Sequence, residues 1–346
     1  MRALTFSAYG GIDRLNYVTD ALAPVLRAPD DVRVRIHAAA LNHLDLFVLA
    51  GVPGVTIGQG AALGADGAGV VESIGPAVHG LTVGQRVLLN PGVSCRACEY
   101  CREGEHPLCV RYAILGEHRA GTLAELIVVP AANVHPVPEG VTWEQAAAFP
   151  LATLTAWRML LSRAQLRAGE TVLIWGIGGG VALAALQIAK RIGARTIVTS
   201  GSDDKLRRAR ELGADETFNH KTADVANEVR ALTGKRGVDV VVDNVGAKTW
   251  ERSIRALGKR GRLVTCGGTS GPLVQSDVRR MFWNQLTLMG STMGNDAEFN
   301  DVMRALGEGA LRPSVDSVHA LADARAGYER LASGEQFGKV VIRVQS

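Results

Sequence analysis

The chain has 346 residues, 47% of them hydrophobic, which is enough for two domains that each bury a core. Its net charge of +4 is weak, and its basic residues are interleaved with acids, as in SDDKLRRARELGADE, which argues against a nucleic-acid-binding surface. The first residues, MRALTFSAYGGIDRL, carry no apolar leader, so the expected location is the cytoplasm.

Residues 1–149 read as many short strands with glycine and proline punctuation: DVRVRIHAAAL, GAGVVESIG, VGQRVLLNPG and TLAELIVVP. Within this β-rich region, Cys95, Cys98, Cys101 and Cys109 form a C-x2-C-x2-C-x7-C run. Two disulfides in so short a loop would suit a small secreted scaffold, not a chain of this length with one further cysteine, Cys266, far away. Four thiolates make a closed tetrahedral site, so the run predicts one structural Zn2+ that never meets substrate.

From Trp143 the pattern changes, and from Glu170 to Met289 apolar, β-branched runs (TVLIW, RTIVT, VDVVV, RLVTC, LTLM) alternate with helical segments. Val181, Ala184, Ala185 and Ile188 keep helical spacing, as do Leu206, Ala209 and Leu212. The expectation is an α/β fold, a doubly wound parallel sheet. The uncharged stretch from Thr171 to Ala189 is long enough to cross a bilayer, but Gly178, Gly179 and Gly180 split it into a strand, a turn and a helix, so no membrane span is expected. Residues 291–346 offer one last helix, near Asp323 to Ala332, and the strand GKVVIRV; too short to fold alone, they are expected to return to the N-terminal domain.

Between TVLIW and the next helix lies the loop Gly176, Ile177, Gly178, Gly179, Gly180, Val181, Ala182. Small residues at 176, 179 and 182 let the turn tighten, the backbone approach a pyrophosphate and the helix sit close to the strand, so the loop predicts a dinucleotide site. At the end of the following strand, where an NAD site carries Asp or Glu for the ribose 2′-OH, stands Ser200, with Ser202, Lys205 and Arg208 nearby. Hydroxyls and positive charge suit a 2′-phosphate, favouring NADP(H), with NAD(H) as the alternative because Asp203 and Asp204 follow.

The cysteine run, LGADGAGVVESIG at 63–75, the glycine loop, DVVVDNVG at 239–246 and the ending FGKVVIRV together resemble the medium-chain dehydrogenase/reductase superfamily over the whole chain, a group that includes zinc alcohol dehydrogenases and quinone reductases. The resemblance implies a GroES-like β-rich catalytic domain (1–149, with 291–346 returning to it) and a Rossmann coenzyme domain (150–290), with the active site in the cleft between them. It also implies a second, catalytic zinc in many members, and here the sequence departs. The positions that match the usual ligands hold Asn42, Ala65 and Leu151, and the positions of the alcohol proton relay hold Leu44 and Phe47. An amide, a methyl and an isobutyl group cannot replace two thiolates and an imidazole.

LNHLDLF instead resembles the INFIDTY type of segment in zinc-free quinone and enoyl reductases, with Asn42 and Asp45 matching and Phe47 in place of tyrosine. By the same resemblance Thr155 lies beside the nicotinamide, Gly267 and Gly268 cross the coenzyme, and Ser291, Thr292 and Met293 contact the carboxamide through the main chain. The expected chemistry is NADPH-dependent reduction of an activated C=C bond or a quinone in a small-molecule substrate. Asn42, His43 and His118 are candidate donors to the developing oxyanion, and Asp45 is expected to orient its neighbours. Two other classes stay open: an alcohol or aldehyde oxidoreductase with a remodelled site using His43 and Asp66, and a dinucleotide-binding protein without catalysis. The family implies a homodimer or homotetramer joined through edge strands near 263–292, and Met281, Phe282 and Trp283 are expected to line substrate space or to serve packing.

Overall fold

A computed structural model describes residues 1–52, 55, 57–58 and 60–345. The chain divides into two compact units, 1–152 with 295–346, and 153–294.

The first unit is built on a seven-stranded sheet. Its longest strand, Asp31–Ala40, alternates inward Val32, Val34 and Ile36 with partly exposed Arg33 and Arg35, the period of a strand with one face in the core. It pairs antiparallel with Asp66–Ile74, Leu126–Pro130 and the final strand, Lys339–Arg343. The register Val341↔Ala40 and Ala40↔Asp66 therefore brings the end of the chain beside residues 40–42 and 66. The core beneath gathers Leu4, Phe6, Ile36, Leu49, Leu63, Leu89, Tyr328 and Ile342 from both ends of the chain.

The last segment holds two helices, not one: Ala324–Ala332, close to the expected span, and Asp296–Gly307, which is absent from the sequence reading. The second had a legible start, since Asn295 and Glu298 form a capping box with bonds of 2.9 and 2.6 Å.

The second unit is a six-stranded parallel sheet. In spatial order its strands are Glu216–Asn219, Arg195–Ser200, Thr171–Ile174, Val238–Val242, Leu257–Thr265 and Thr287–Gly290, the 3-2-1-4-5-6 arrangement of dinucleotide-binding folds. Thr171–Ile174 and Val238–Val242 are central and almost wholly buried, which explains their unbroken apolar sequence. The strand Glu216–Asn219 escaped the sequence reading because it is short and half polar. Among the described residues no helix is long and apolar enough to cross a membrane. The two helices predicted from spacing are Gly180–Ile192 and Asp203–Glu211.

Candidate active site and metal centre

The cysteine lobe lies between the two short paired strands Gly92–Val93 and Ala113–Ile114. Arg96 takes a left-handed φ of 58°, and a one-turn helix, Glu99–Arg102, follows; together they curl the chain so that all four Sγ atoms lie within 4.8 Å of one another. The Cys98–Cys101 and Cys95–Cys101 sulfurs are 3.5 and 4.0 Å apart. A tetrahedron of thiolates around Zn2+, with bonds of about 2.3 Å, has edges of roughly 3.8 Å, so these four residues fit the ion. Backbone N–H groups of Cys95 and Arg111 donate to Cys109 Sγ at 3.2 and 3.3 Å, as expected around a thiolate. N–H groups of Ala97 and Cys98 lower the Cys95 thiol to about 5, whereas burial and the neighbouring sulfurs push Cys101 up to about 11. The lobe is tied to the first turn of the helix Asp296–Gly307 by Arg96–Asp296 at 2.7 Å and by the Asp296 N–H to His106 Nδ1 at 3.4 Å.

A second polar cluster lies in the interior of the same unit. The helix His43–Ala50 starts at Asn42, whose backbone N–H donates to Asp45 Oδ2 at 2.7 Å. Asp45 thus serves as the third-position acid of a capping box, and burial pushes its carboxyl up to about 7. The Asn42 amide is held at both ends: Nδ2 donates to Asp66 Oδ2 at 2.9 Å and Oδ1 accepts from Lys339 Nζ at 2.5 Å. Lys339 also donates to Asp66 Oδ2 at 2.9 Å, and the other Asp66 oxygen accepts the Leu151 N–H at 2.8 Å. Asp66 is fully buried and Lys339 is 5% exposed, so this is an interior ion pair with every carboxylate oxygen bonded. The Thr122 hydroxyl ties in the Asp66 carbonyl at 2.7 Å.

His43 stands on the next helical position, half-buried, and burial, followed by the charge of Lys339, lowers its pKa and keeps the ring neutral. Neutral imidazole retains one N–H donor. Ala65 is buried and presents only a methyl group, and Leu151 contributes its backbone N–H to Asp66. Phe47 is 39% exposed and the His118 side chain 37%; His118 Nδ1 accepts from the Ile114 N–H at 3.3 Å and lies 3.6 Å from Glu117. Lys339 had no place in the sequence reading; its signal was a lysine opening the last strand ahead of the apolar run Val340, Val341, Ile342.

In the second unit the strand ending at Ile174 enters the glycine loop through buried Trp175. Gly176 and Gly178 take φ of 72° and 121°, which side chains rarely adopt, and the Ile177 N–H donates to Thr199 O at 2.7 Å. Gly179 is the N-cap of Gly180–Ile192 and makes no side-chain cap bond, leaving the N–H groups of Gly180, Val181 and Ala182 open at the positive end of a 13-residue helix. That cradle fits a pyrophosphate.

At the end of Arg195–Ser200, the Ser200 hydroxyl accepts from the Ser202 N–H at 3.2 Å, and the Ser202 hydroxyl caps Asp203–Glu211 through the Lys205 N–H at 3.5 Å. The acids that follow have partners of their own: Asp203 accepts from Asn219 at 2.7 Å and Asp204 from Arg207 at 2.6 Å. Lys221 and His220, absent from the sequence reading, lie over Gly201, where an added Cβ would meet Lys221 Cε at 2.6 Å and His220 Nε2 at 3.2 Å.

Thr155 is buried with its hydroxyl 3.9 Å from Met293 Sδ, and Met293 itself takes φ of 48°. The Ser291 N–H donates to Thr265 O at 2.8 Å, Thr265 Oγ1 donates to Gly267 O at 3.0 Å, and a Cβ at Gly267 would meet open space. Gly268 lies against the Gly246 and Gly271 backbone, and Thr292 follows Ser291 beyond the last strand. Val278, Phe282 and Trp283 are 65%, 64% and 77% exposed on this chain alone.

Two family models match: the alcohol dehydrogenase GroES-like domain over residues 28–139 and the zinc-binding dehydrogenase domain over 180–308. Quinone oxidoreductase of Pseudomonas aeruginosa is 33% identical, with 99% of each chain covered. A zinc-type alcohol dehydrogenase-like protein of Schizosaccharomyces pombe is 30% identical at the same coverage. Among solved structures, an NAD-dependent alcohol dehydrogenase is 46% identical over 100% of both chains with a TM-score of 0.95. A cobalt- and zinc-bound thermostable alcohol dehydrogenase from Pyrobaculum aerophilum is 34% identical over 99% of both, with a TM-score of 0.89. With its GroES-like and Rossmann units and full-length relatives of both kinds, the chain belongs to the medium-chain dehydrogenase/reductase superfamily and is an oxidoreductase.

Proposed function

We propose that this oxidoreductase works without a catalytic zinc and reduces activated C=C bonds of α,β-unsaturated carbonyls, or quinones, with NADPH. One observation carries the reading: where the resemblance places metal ligands at 42, 65 and 151, the chain has Ala65 and Leu151 side chains without ligand atoms and an Asn42 amide already engaged by Lys339 and Asp66. These residues do not fit the ion, so no step is routed through it. Reduction of an already polarised double bond asks least of such a site, and a quinone oxidoreductase is among the full-length relatives.

When bound, the reduced nicotinamide supplies hydride to the β-carbon or quinone ring. The glycine loop and the open helix N-terminus receive its phosphates, and Thr155, Gly267, Gly268 and the 291–293 main chain orient its ring end. Ser200, Lys221 and His220 favour a 2′-phosphate, and Arg207 offsets the charge of Asp204, while Asp203 is turned to the Asn219 amide. Neutral His43 is the donor for the developing oxyanion, because both ends of the Asn42 amide are committed. Asp45 fixes the backbone turn that carries both. The exposed Val278, Phe282 and Trp283 beside the edge strand Thr287–Gly290 suit a homodimer or homotetramer interface.

A second reading, an NAD-dependent alcohol or aldehyde dehydrogenase with a remodelled site, is favoured by the 46% identity to a solved enzyme of that description. A panel of enones, quinones, aldehydes and alcohols, read by coenzyme absorbance with both NADPH and NADH, separates the two. Turnover of enones or quinones with NADPH supports the first reading; turnover confined to alcohols and aldehydes with NAD(H) replaces it by the second.

A further inference from the structure

The reaction just described leaves the buried charge of Lys339 unused. Lys339 follows Gly338, whose φ of 117° and approach to the Ser314 carbonyl leave no room for a side chain, and its own N–H donates to Ser314 O at 2.8 Å. The backbone is therefore pinned where the last strand begins, and the side chain runs inward, 5% exposed. Nζ lies 2.5 Å from Asn42 Oδ1 and 2.9 Å from Asp66 Oδ2, two oxygens of the kinds that hold hard divalent cations. The fully buried Asp66 carboxylate has a positive partner, and that partner is covalently attached. A divalent ion on the same oxygens would sit within a few ångströms of a buried ammonium, in a setting where like charges repel strongly.

We propose that Lys339 is the resident cation of this pocket: it takes the place a metal would fill, closes the Asn42–Asp66 oxygens to divalent ions, and its removal turns them into a cation site. This rests on the zinc-free reading above but adds a named residue that enforces it.

The test uses full-length wild type, Lys339→Ala, Lys339→Arg and the double variant Lys339→Ala/Asp66→Asn, each dialysed against Co2+ and examined by elemental analysis and visible absorption. Wild type, Lys339→Arg and the double variant are expected to take one ion per chain, with the intense bands of thiolate ligation at the cysteine lobe. Lys339→Ala is expected to take a second ion with only the weak bands of oxygen and nitrogen ligands. If Lys339→Ala folds only when Co2+ is present, and that rescue needs Asp66, the proposal is equally upheld. A folded Lys339→Ala chain that stays at one ion overturns it, as does a second ion that persists in the double variant, or a Lys339→Ala chain that Co2+ does not rescue while the double variant folds. A second ion in wild type instead overturns the zinc-free reading itself, so the two failures are told apart.

Discussion

In the cysteine lobe, four thiols converge with backbone N–H groups and the Arg111 side chain around them, whereas in the Asn42–Asp66 pocket a carboxylate and an amide oxygen converge on an ammonium. The first arrangement needs an external cation to bring its sulfurs together as thiolates, and the second carries its own. The difference teaches where a metal fits in this chain: in a lobe anchored to the helix Asp296–Gly307, and, on the proposed reading, not in the reaction itself.

The sharpest way to break the comparison is to damage the lobe. Cys98→Ser is expected to lose the ion and to destabilise the first unit by about 5 kcal/mol or more, read as a lower urea midpoint. Chain that remains folded should keep its turnover number with NADPH and enone; abolished chemistry in folded protein would put the metal in the reaction.

The pocket should respond in the opposite way. Asp66→Ala strands Lys339 in the interior and removes the carboxylate that accepts the Leu151 N–H, so a loss of about 3–5 kcal/mol in stability is expected together with a fall in kcat. Zinc content should stay unchanged, and a drop in zinc would show that the two regions share a metal after all.

Much of this was legible in the sequence, and what was not has identifiable causes. Cysteine spacing and the glycine loop are local patterns, so Cys95–Cys109 and Gly176–Ala182 could be read directly. The parallel strands announced themselves because burial on both faces demands unbroken apolar runs such as VDVVV. Lys339 could not be read, because it is 273 residues from Asp66 and meets it only through the pairing of the last strand with Asp31–Ala40. Lys221 was hidden for the same reason: it follows the polar strand Glu216–Asn219, and only sheet order brings it over Gly201. The engagement of both ends of the Asn42 amide by Asp66 and Lys339 is likewise tertiary.

Smaller effects sharpen the account of the coenzyme and of the buried acid. Ser200→Asp should shift the ratio of NADPH to NADH efficiency towards NADH about tenfold or more, through repulsion of the 2′-phosphate. An unchanged ratio of kcat/KM values would mean that the phosphate, if bound, is held elsewhere. Asp45 has a folded-state value near 7 against 3.8 for a free side chain, raised by burial. Its neutral form is therefore the one the fold prefers; this contribution is full below about pH 4 and is lost as pH rises through 7. Asp45→Asn should accordingly flatten the decline of the melting temperature across that window, and an undiminished slope would assign it to another group.

The most direct measurement is elemental analysis of enzyme while it turns over a quinone or enone with NADPH. One zinc per active chain, with turnover surviving its removal for as long as the chain stays folded, is the predicted result. Two zincs per chain, the second held near residues 42–66 and its loss extinguishing activity, would contradict it.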